Sequence, residues 1–223
     1  MNVHPTHSGE KPDGYYSLGR AEMLPFIPRV SKRILEVGCG EASFGKQLKK
    51  DLGAEVWGIE LNESAAIQAS KHLDKVLTGD ASTLLEQLPA TYFDCVVFND
   101  ILEHMTDPFT FLRKTKRILS ESGCIVCSLP NIRYAPVFFD LIFRKEWTYK
   151  DDGVLDMNHY RFFTRRSIVR TLSNLGYSIT RINGINPLKS WKYRLVIMLS
   201  LGFLSDSRFL QYACVAVPTV KKE

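Results

Sequence analysis

The stretch Arg33 to Gly45, RILEVGCGEASFG, constrains the chain most: an apolar run carrying a carboxylate passes into a Gly-Cys-Gly turn and then a helical pattern from about Ala42. Glycines at such a turn permit positive φ and let a ligand approach the backbone. The helix start that follows offers N–H groups without intrahelical partners. A small-molecule site therefore belongs after this strand, although a Gly-x-Gly turn by itself equally serves tight strand-to-helix packing.

The same rhythm repeats along the chain. The helix from about Ala42 to Leu52 places Phe44, Leu48 and Leu52 on one face and stops at Gly53. A strand over Glu55 to Ile59 ends at Glu60, and Asn62 caps a helix with Ala65, Ala66, Ile67 and Ala69 as its apolar positions. Next come a short strand Val76 to Thr78, a helix Ser82 to Leu88, and a near-continuous apolar strand Tyr92 to Phe98, which reads as buried on both faces. A helix Phe109 to Leu119 and a strand Cys124 to Leu129 close the fifth repeat. This alternation predicts an α/β fold, a doubly wound, seven-stranded, mostly parallel sheet with ligands at the carboxyl ends of its strands, the crevice lying over the first and fourth.

The rhythm breaks at 131–160, an aromatic insertion after the fifth strand, where substrate-selecting structure is expected. A helix Arg165 to Leu175 and a strand Tyr177 to Ile182 follow, then a second insertion, 187–204, expected to hold an amphipathic helix. A last strand, Phe209 to Val217, is expected to pair antiparallel with the sixth at the sheet edge. Residues 1–14 read as a flexible N-terminus, and 15–223 as a single domain whose segment 15–30, YYSLGRAEMLPFIP and flanks, serves as a lid or a brace.

With 45% hydrophobic and 24% charged residues the composition is that of a globular domain, and the net charge of +5 is spread thinly, so no nucleic-acid partner is signalled. Cys124 and Cys127 are three apart on a strand and face opposite ways, which fits neither a redox nor a zinc motif. No metal site is expected. The beginning of the chain lacks the apolar core of a signal peptide, and Leu195 to Leu204 is too short to span a bilayer, so a soluble cytoplasmic protein, monomer or homodimer, is expected.

Acidic residues sharpen the ligand. Glu60 stands twenty residues after Gly40, the spacing of a carboxylate that accepts from ribose hydroxyls. Ser43 takes the place of the third glycine of a dinucleotide fingerprint, and Glu36 beside the turn would repel a pyrophosphate yet suit an ammonium group. Asp80 after the third strand would suit an adenine amino group, with the Ala81 N–H meeting a ring nitrogen. Each acid alone has a plain alternative as a helix cap.

ILEVGCGEASFG, VWGIELN, LTGDAS, FDCVVFNDILEHMTDP and GCIVCSLPN together resemble the successive motifs of class I S-adenosylmethionine-dependent methyltransferases, in the ubiquinone-biosynthesis-like branch, over roughly residues 15–182. DMNHYRFFT, Asp156 to Thr164, is similar to the D-x-x-H-x-R-F-F-T segment of methyltransferases encoded with polysaccharide glycosyltransferases, which implies a sugar or glycan acceptor. The resemblance implies a Rossmann-like methyltransferase fold with S-adenosylmethionine as cofactor and S-adenosylhomocysteine as product. It also implies that Glu36, Gly38, Cys39 and Gly40 cradle the methionine end, that Glu60 and Leu61 hold the ribose, that Asp80 and Ala81 meet adenine, and that Asn99 lines the methionine side. Tyr16 and Arg20 would close over the cofactor, Arg20 pairing with its carboxylate. Asn99-Asp100 departs from the smaller or apolar residues commoner there.

Methyl transfer to a hydroxyl requires alignment and removal of a proton. His104 and His159 are the candidate catalytic bases; Asp156, His159 and Arg161 are the candidate acceptor contacts, Arg161 either binding an acidic sugar or phosphate or pairing with Asp156. The favoured reading is O-methylation of a sugar or glycan intermediate in cell-envelope polysaccharide biosynthesis. A quinone-type phenol is the alternative acceptor, with an apolar pocket and peripheral membrane contact through Leu195 to Leu204. A non-catalytic cofactor-binding accessory protein is the alternative from another class, and a nicotinamide oxidoreductase is the weakest.

Overall fold

The computed structural model describes residues 19–219. The expectations for residues 1–14 and for Tyr16 lie outside the described residues.

Seven strands form one sheet in the order β3-β2-β1-β4-β5-β7-β6. β1 (Arg33–Val37), β2 (Glu55–Glu60), β3 (Lys75–Thr78), β4 (Phe93–Asn99) and β5 (Leu119–Pro130) run parallel. β7 (Phe209–Pro218) lies between β5 and β6 (Tyr177–Pro187) and is antiparallel to both, so β6 points the same way as β1 to β5. The expected antiparallel edge pair is therefore present, with β6 outermost.

The central strands show why this sequence makes a covered sheet. Leu35, Val96, Phe98, Ile125 and Cys127 pack into one apolar layer, and their alternating neighbours Ile34, Cys95, Val97, Cys124 and Val126 into the other. Cys124 and Cys127 thus face opposite layers, and all five cysteines are free and buried. Each buried aliphatic or aromatic side chain in these layers contributes roughly 1.5–3 kcal/mol.

The helices follow their sequence signals at the starts. α1 (Ser43–Leu52) buries Phe44 and Leu48 and ends on Gly53 in the left-handed region; α2 (Glu63–Ala69) is capped by Asn62, whose side chain accepts from the Ala65 N–H at 2.9 Å. Ile67 points outward at 62% exposure, so alanines alone form the packed face of α2. The expected helix Ser82 to Leu88 is instead a single turn, α3 (Ala81–Leu84), followed by a 3-10 turn over Leu85–Gln87. α4 covers Pro108–Thr115 rather than reaching Leu119, because Leu119 pairs with Phe93 and already belongs to β5. α5 (Ala135–Phe139) runs into a π-helical turn, Asp140–Arg144; α6 (Arg165–Asn174) opens on a capping box between Thr164 and Ser167. α7 (Trp191–Leu199) is the second insertion, and β6 reaches five residues further than Ile182 before it, to Pro187.

Two features brace the carboxyl end of the sheet. The 3-10 helix Ala21–Phe26 sends Met23 and Phe26 into the core layer beneath β1 and β7, so this part of the N-terminal cap is a brace. At the end of β5, fully buried Asn131 donates through Nδ2 to the carbonyls of Asp206 and Phe209 at 3.0 and 2.9 Å, and through Oδ1 accepts from the Arg133 N–H. Arg133 grips Asp206 through Nε at 2.7 Å. Among the described residues no helix is long and apolar enough to cross a membrane.

Replacing Asn131 by Ala removes a donor from two carbonyls, of which that of Asp206 keeps the Tyr212 hydroxyl, and the acceptor of one N–H, and is expected to lower unfolding free energy by about 2–4 kcal/mol. Urea denaturation reads this as a lower midpoint at unchanged slope; a midpoint equal to wild type would contradict it.

Candidate active site

A cavity of about 770 Å³ opens where β1, β2 and β4 end. Its donor side is built from consecutive turns. Gly38 (φ +73°) and Gly40 (φ +53°) turn the chain out of β1, and the N–H groups of Gly38 and Cys39 donate to the Ile59 carbonyl at 2.8 and 3.1 Å. A Cβ on Gly38 would come within 2.1 Å of Ile101 Cδ1, so packing of the β4 turn, as much as ligand approach, requires glycine there.

Glu60 is 7% exposed and clasps two turns: Oε2 accepts from the Gly40 N–H at 2.8 Å, and Oε1 from the Asn62 N–H at 2.9 Å. Each carboxylate oxygen accepts two hydrogen bonds, so the clasp leaves capacity for ligand hydroxyls. Glu36 is 3% exposed, and its Oε2 has no hydrogen-bond partner. Burial pushes its carboxyl up to about 8, against the pull of the Gly45 N–H and with the push of nearby Glu60. Both amide atoms of Asn99, on the same wall, are buried and unpartnered.

Asp80 is a helix cap, its Oδ1 accepting from the N–H groups of Ser82 and Thr83 at 2.8 and 3.1 Å, and it also lines the cavity with Ala81. Cys39 and Leu61 line it too, Leu61 on the rim at 71% exposure. Arg20 lines the cavity, but its guanidinium forms ion pairs with Asp100 and Glu22 and donates to Ser128 Oγ. Arg20, expected to meet a cofactor carboxylate, thus stands on the cavity wall with Asp100 as its partner in the protein, which gives the departure at this position a reason.

On the acceptor side the histidines separate. His104, in the 3-10 turn Leu102–His104, lines the cavity, with Nδ1 3.2 Å from the Asn158 carbonyl. His159 is 9% exposed, off the cavity wall, with Nδ1 3.1 Å from the Val154 carbonyl and its ring against that of His104, centroids 4.5 Å apart. Asp156 is buried and holds Asn158 through Oδ1, and the Arg161 guanidinium donates to the carbonyls of Tyr160 and Thr106. Asp156, His159 and Arg161 are absent from the cavity lining and are engaged within their own loop, Asp156 by the Asn158 N–H and amide, His159 and Arg161 by backbone carbonyls.

Sequence reasoning passed over two residues, Tyr160 on the wall and Glu103 buried behind it. Tyr160 reaches the cavity because its N–H donates to the Glu103 carbonyl at 2.9 Å. Glu103 itself is fully buried with both carboxylate oxygens unpartnered, and burial pushes it up to about 8, with Arg20 opposing and Asp156 adding to the rise. Glu103, His104 and His159 bring one ligand atom each within 4.8 Å of one another, a donor set that could hold a divalent cation. The signal for Glu103 was its place in the EHMTDP motif; its burial depends on the distant loop.

A strand-turn-helix cradle in which the buried Glu36 carboxyl and the Asn99 amide meet on one wall matches a cationic, amino-acid-bearing nucleoside. The family model for the methyltransferase domain matches residues 11–182. The chain belongs to the methyltransferase domain family. It is similar to a ubiquinone biosynthesis O-methyltransferase of Maricaulis maris, 32% identical over 167 residues, which cover 70% of this chain and 63% of that protein. A ubiquinone biosynthesis O-methyltransferase of Cereibacter sphaeroides is 29% identical over 190 residues, 81% of this chain and 75% of that protein. The chain thus spans less than two thirds of the first of these relatives and three quarters of the second. The fold is similar to that of a SAM-dependent methyltransferase from Archaeoglobus fulgidus, with a TM-score of 0.70, 22% identity, and coverage of 90% of this chain and 93% of that one. Glu36, Asn99 and Glu60 bring buried polar groups to one wall of this cavity.

The two buried carboxyls make stability depend on pH. Each rises from 4.5 to about 8 on folding, so the folded state keeps protons that the unfolded state releases in that window. Their contribution is fully present below pH 4.5 and is lost as pH rises through about 8, roughly 1 kcal/mol per pH unit and group. Thermal melts of the ligand-free methyltransferase should fall from about pH 6 to about pH 9. Glu103→Gln should flatten that fall by about half; an unchanged slope would refute the assignment.

Proposed function

We propose that the chain is an O-methyltransferase for a hydroxyl on a quinone-type phenol. The observation that carries this reading is the acceptor wall, where Ile101, Met105 and Tyr160 present apolar and aromatic surface around His104. The names of the Maricaulis and Cereibacter relatives point the same way. The earlier preference for a sugar or glycan loses its support, because Asp156, His159 and Arg161 of the D-x-x-H-x-R segment hold their loop through backbone contacts away from the cavity wall. Five free thiols suit a reducing compartment, and the cytoplasm is the location we propose.

S-adenosylmethionine supplies an electrophilic methyl group on a positively charged sulfur. Glu36 and Asn99 hold the amino-acid end, Glu60 the ribose, and Asp80 with Ala81 the base. His104 takes the acceptor proton: its Nδ1 faces the Asn158 carbonyl, which fixes the ring and gives Nε2 the acceptor role. His159 is a positioning residue that packs edge-on against His104.

The test is methyl transfer from labelled S-adenosylmethionine to a short-chain prenylated dihydroxybenzoate, set against a panel of nucleotide sugars. Label on the phenol, with turnover falling about 100-fold in His104→Ala at unchanged cofactor affinity, is the expected outcome. Label on a sugar alone, or a His104→Ala enzyme as fast as wild type, would overturn the reading.

A further inference from the structure

α7 carries two apolar faces. Tyr193 is buried beneath it, its ring edge-on to Phe139 of α5 at 6.0 Å, with half-buried Val196 and Ile197 on either side. On the opposite face Trp191, Leu195, Met198 and Leu199 follow the i, i+4, i+7, i+8 spacing of one helical stripe, yet are 71%, 45%, 65% and 73% exposed. The turn that follows adds Leu201 and Phe203, 97% and 78% exposed. The expected amphipathic helix is thus apolar on both sides, and folding of this chain covers one of them.

The charge around that stripe has one sign. Lys192 and Arg194 flank it, and segment 187–204 contains no Asp or Glu. At its base a separate cavity of about 460 Å³ is lined by Lys189, Arg194 and Arg208 beside Trp191. Among the described residues none of these three cations forms an ion pair with a carboxylate. Exposed Trp, Leu and Phe beside unneutralised Lys and Arg match the boundary between acyl chains and anionic headgroups, where apolar side chains insert and cations meet phosphate. A protein partner of ordinary mixed charge would call for acids on the stripe's rim, and segment 187–204 supplies none.

Position gives the surface a purpose. β6 runs parallel to β5, so α7, which follows Pro187, and α5, which follows Pro130, both lie at the end of the sheet where the cofactor cavity opens. We propose that the α7 stripe with its basic cavity docks the enzyme on an anionic lipid bilayer, setting the mouth of the active site toward the membrane. An acceptor dissolved in lipid then reaches His104 from the bilayer side. The docking surface stands apart from the choice of acceptor, since it uses none of the catalytic cavity's residues.

The test is sedimentation of the full chain with vesicles of roughly equal phosphatidylglycerol and phosphatidylcholine, against vesicles of phosphatidylcholine alone. Binding to the anionic vesicles should weaken severalfold or more as salt rises from about 0.05 to about 0.5 M. It should fall about tenfold or more both in Trp191→Ser/Leu199→Ser and in Lys189→Gln/Arg194→Gln. Both variants alter exposed side chains, and unchanged cofactor affinity in solution shows that they are folded. Wild-type protein that stays in the supernatant, binds both vesicles alike, or loses nothing in either variant overturns the proposal. So does light scattering that shows a dimer dissociated by Trp191→Ser/Leu199→Ser, which would assign the stripe to a second copy of the chain.

Discussion

The Glu60 carboxylate is the contact on which the donor side of the molecule depends. One oxygen holds the Gly40 N–H after β1 and the other holds the Asn62 N–H after β2, so two turns from separate strand-helix units share one buried anion. Backbone N–H groups are suitable partners, because they neutralise part of the charge without adding a bulky cation to the cavity. The clasp fixes the positive-φ turn at Gly38 and Gly40 against Ile59, and Asn62 in turn caps α2. The shape of the cavity at this corner and the stability of the fold therefore rest on the same side chain.

A second cluster does the corresponding work on the acceptor side. Asp100, in the left-handed region at φ +53°, accepts from Ser128 Oγ at 2.7 Å and from Gln211 Nε2 at 2.9 Å, and pairs with Arg20. The N-terminal brace, the end of β4, β5 and β7 are joined through that carboxylate. Arg20 also lies near the buried Glu103 and favours its ionised form. The wall holding His104 is thus backed by a partly buried charge network, whereas the face bearing Met105 and Tyr160 is apolar. The contrast suits a planar phenol with one hydroxyl directed at the histidine.

The sheet was legible because its signals are local. Alternation at Leu35 to Val37 and Val96 to Phe98, the glycine stop at Gly53 and the caps at Asn62 and Asp80 need little beyond their own neighbours. The residues lining the cavity at Glu36, Gly38, Gly40, Glu60, Asp80 and Asn99 were legible for the same reason, since each sits at the carboxyl end of a strand or on the turn after it. The boundary at Leu119 was missed because pairing with Phe93 overrides a helical pattern. That His159, Asp156 and Arg161 stand off the cavity wall was not legible, because a motif fixes which residues occur and folding decides which of them face inward. Tyr160 joins the wall, and Glu103 is buried behind it, only once the loop from the first insertion closes over the turn at His104. The second face of α7 was hidden because apolar residues on both sides of a short helix erase the periodicity that reveals one.

We propose that buried carboxyl groups, Glu36 foremost, make this cavity a site for a cationic nucleoside, whose charge draws the proton off Glu36 on binding. Calorimetric titration of S-adenosylmethionine at pH 7 into wild type and Glu36→Gln tests it most directly. The account predicts saturable binding by wild type and affinity weaker by roughly thirtyfold or more in the variant, the loss expected when one partner of a buried charge pair is removed. No binding of S-adenosylmethionine or S-adenosylhomocysteine by wild type, or equal affinity in both proteins, would contradict it.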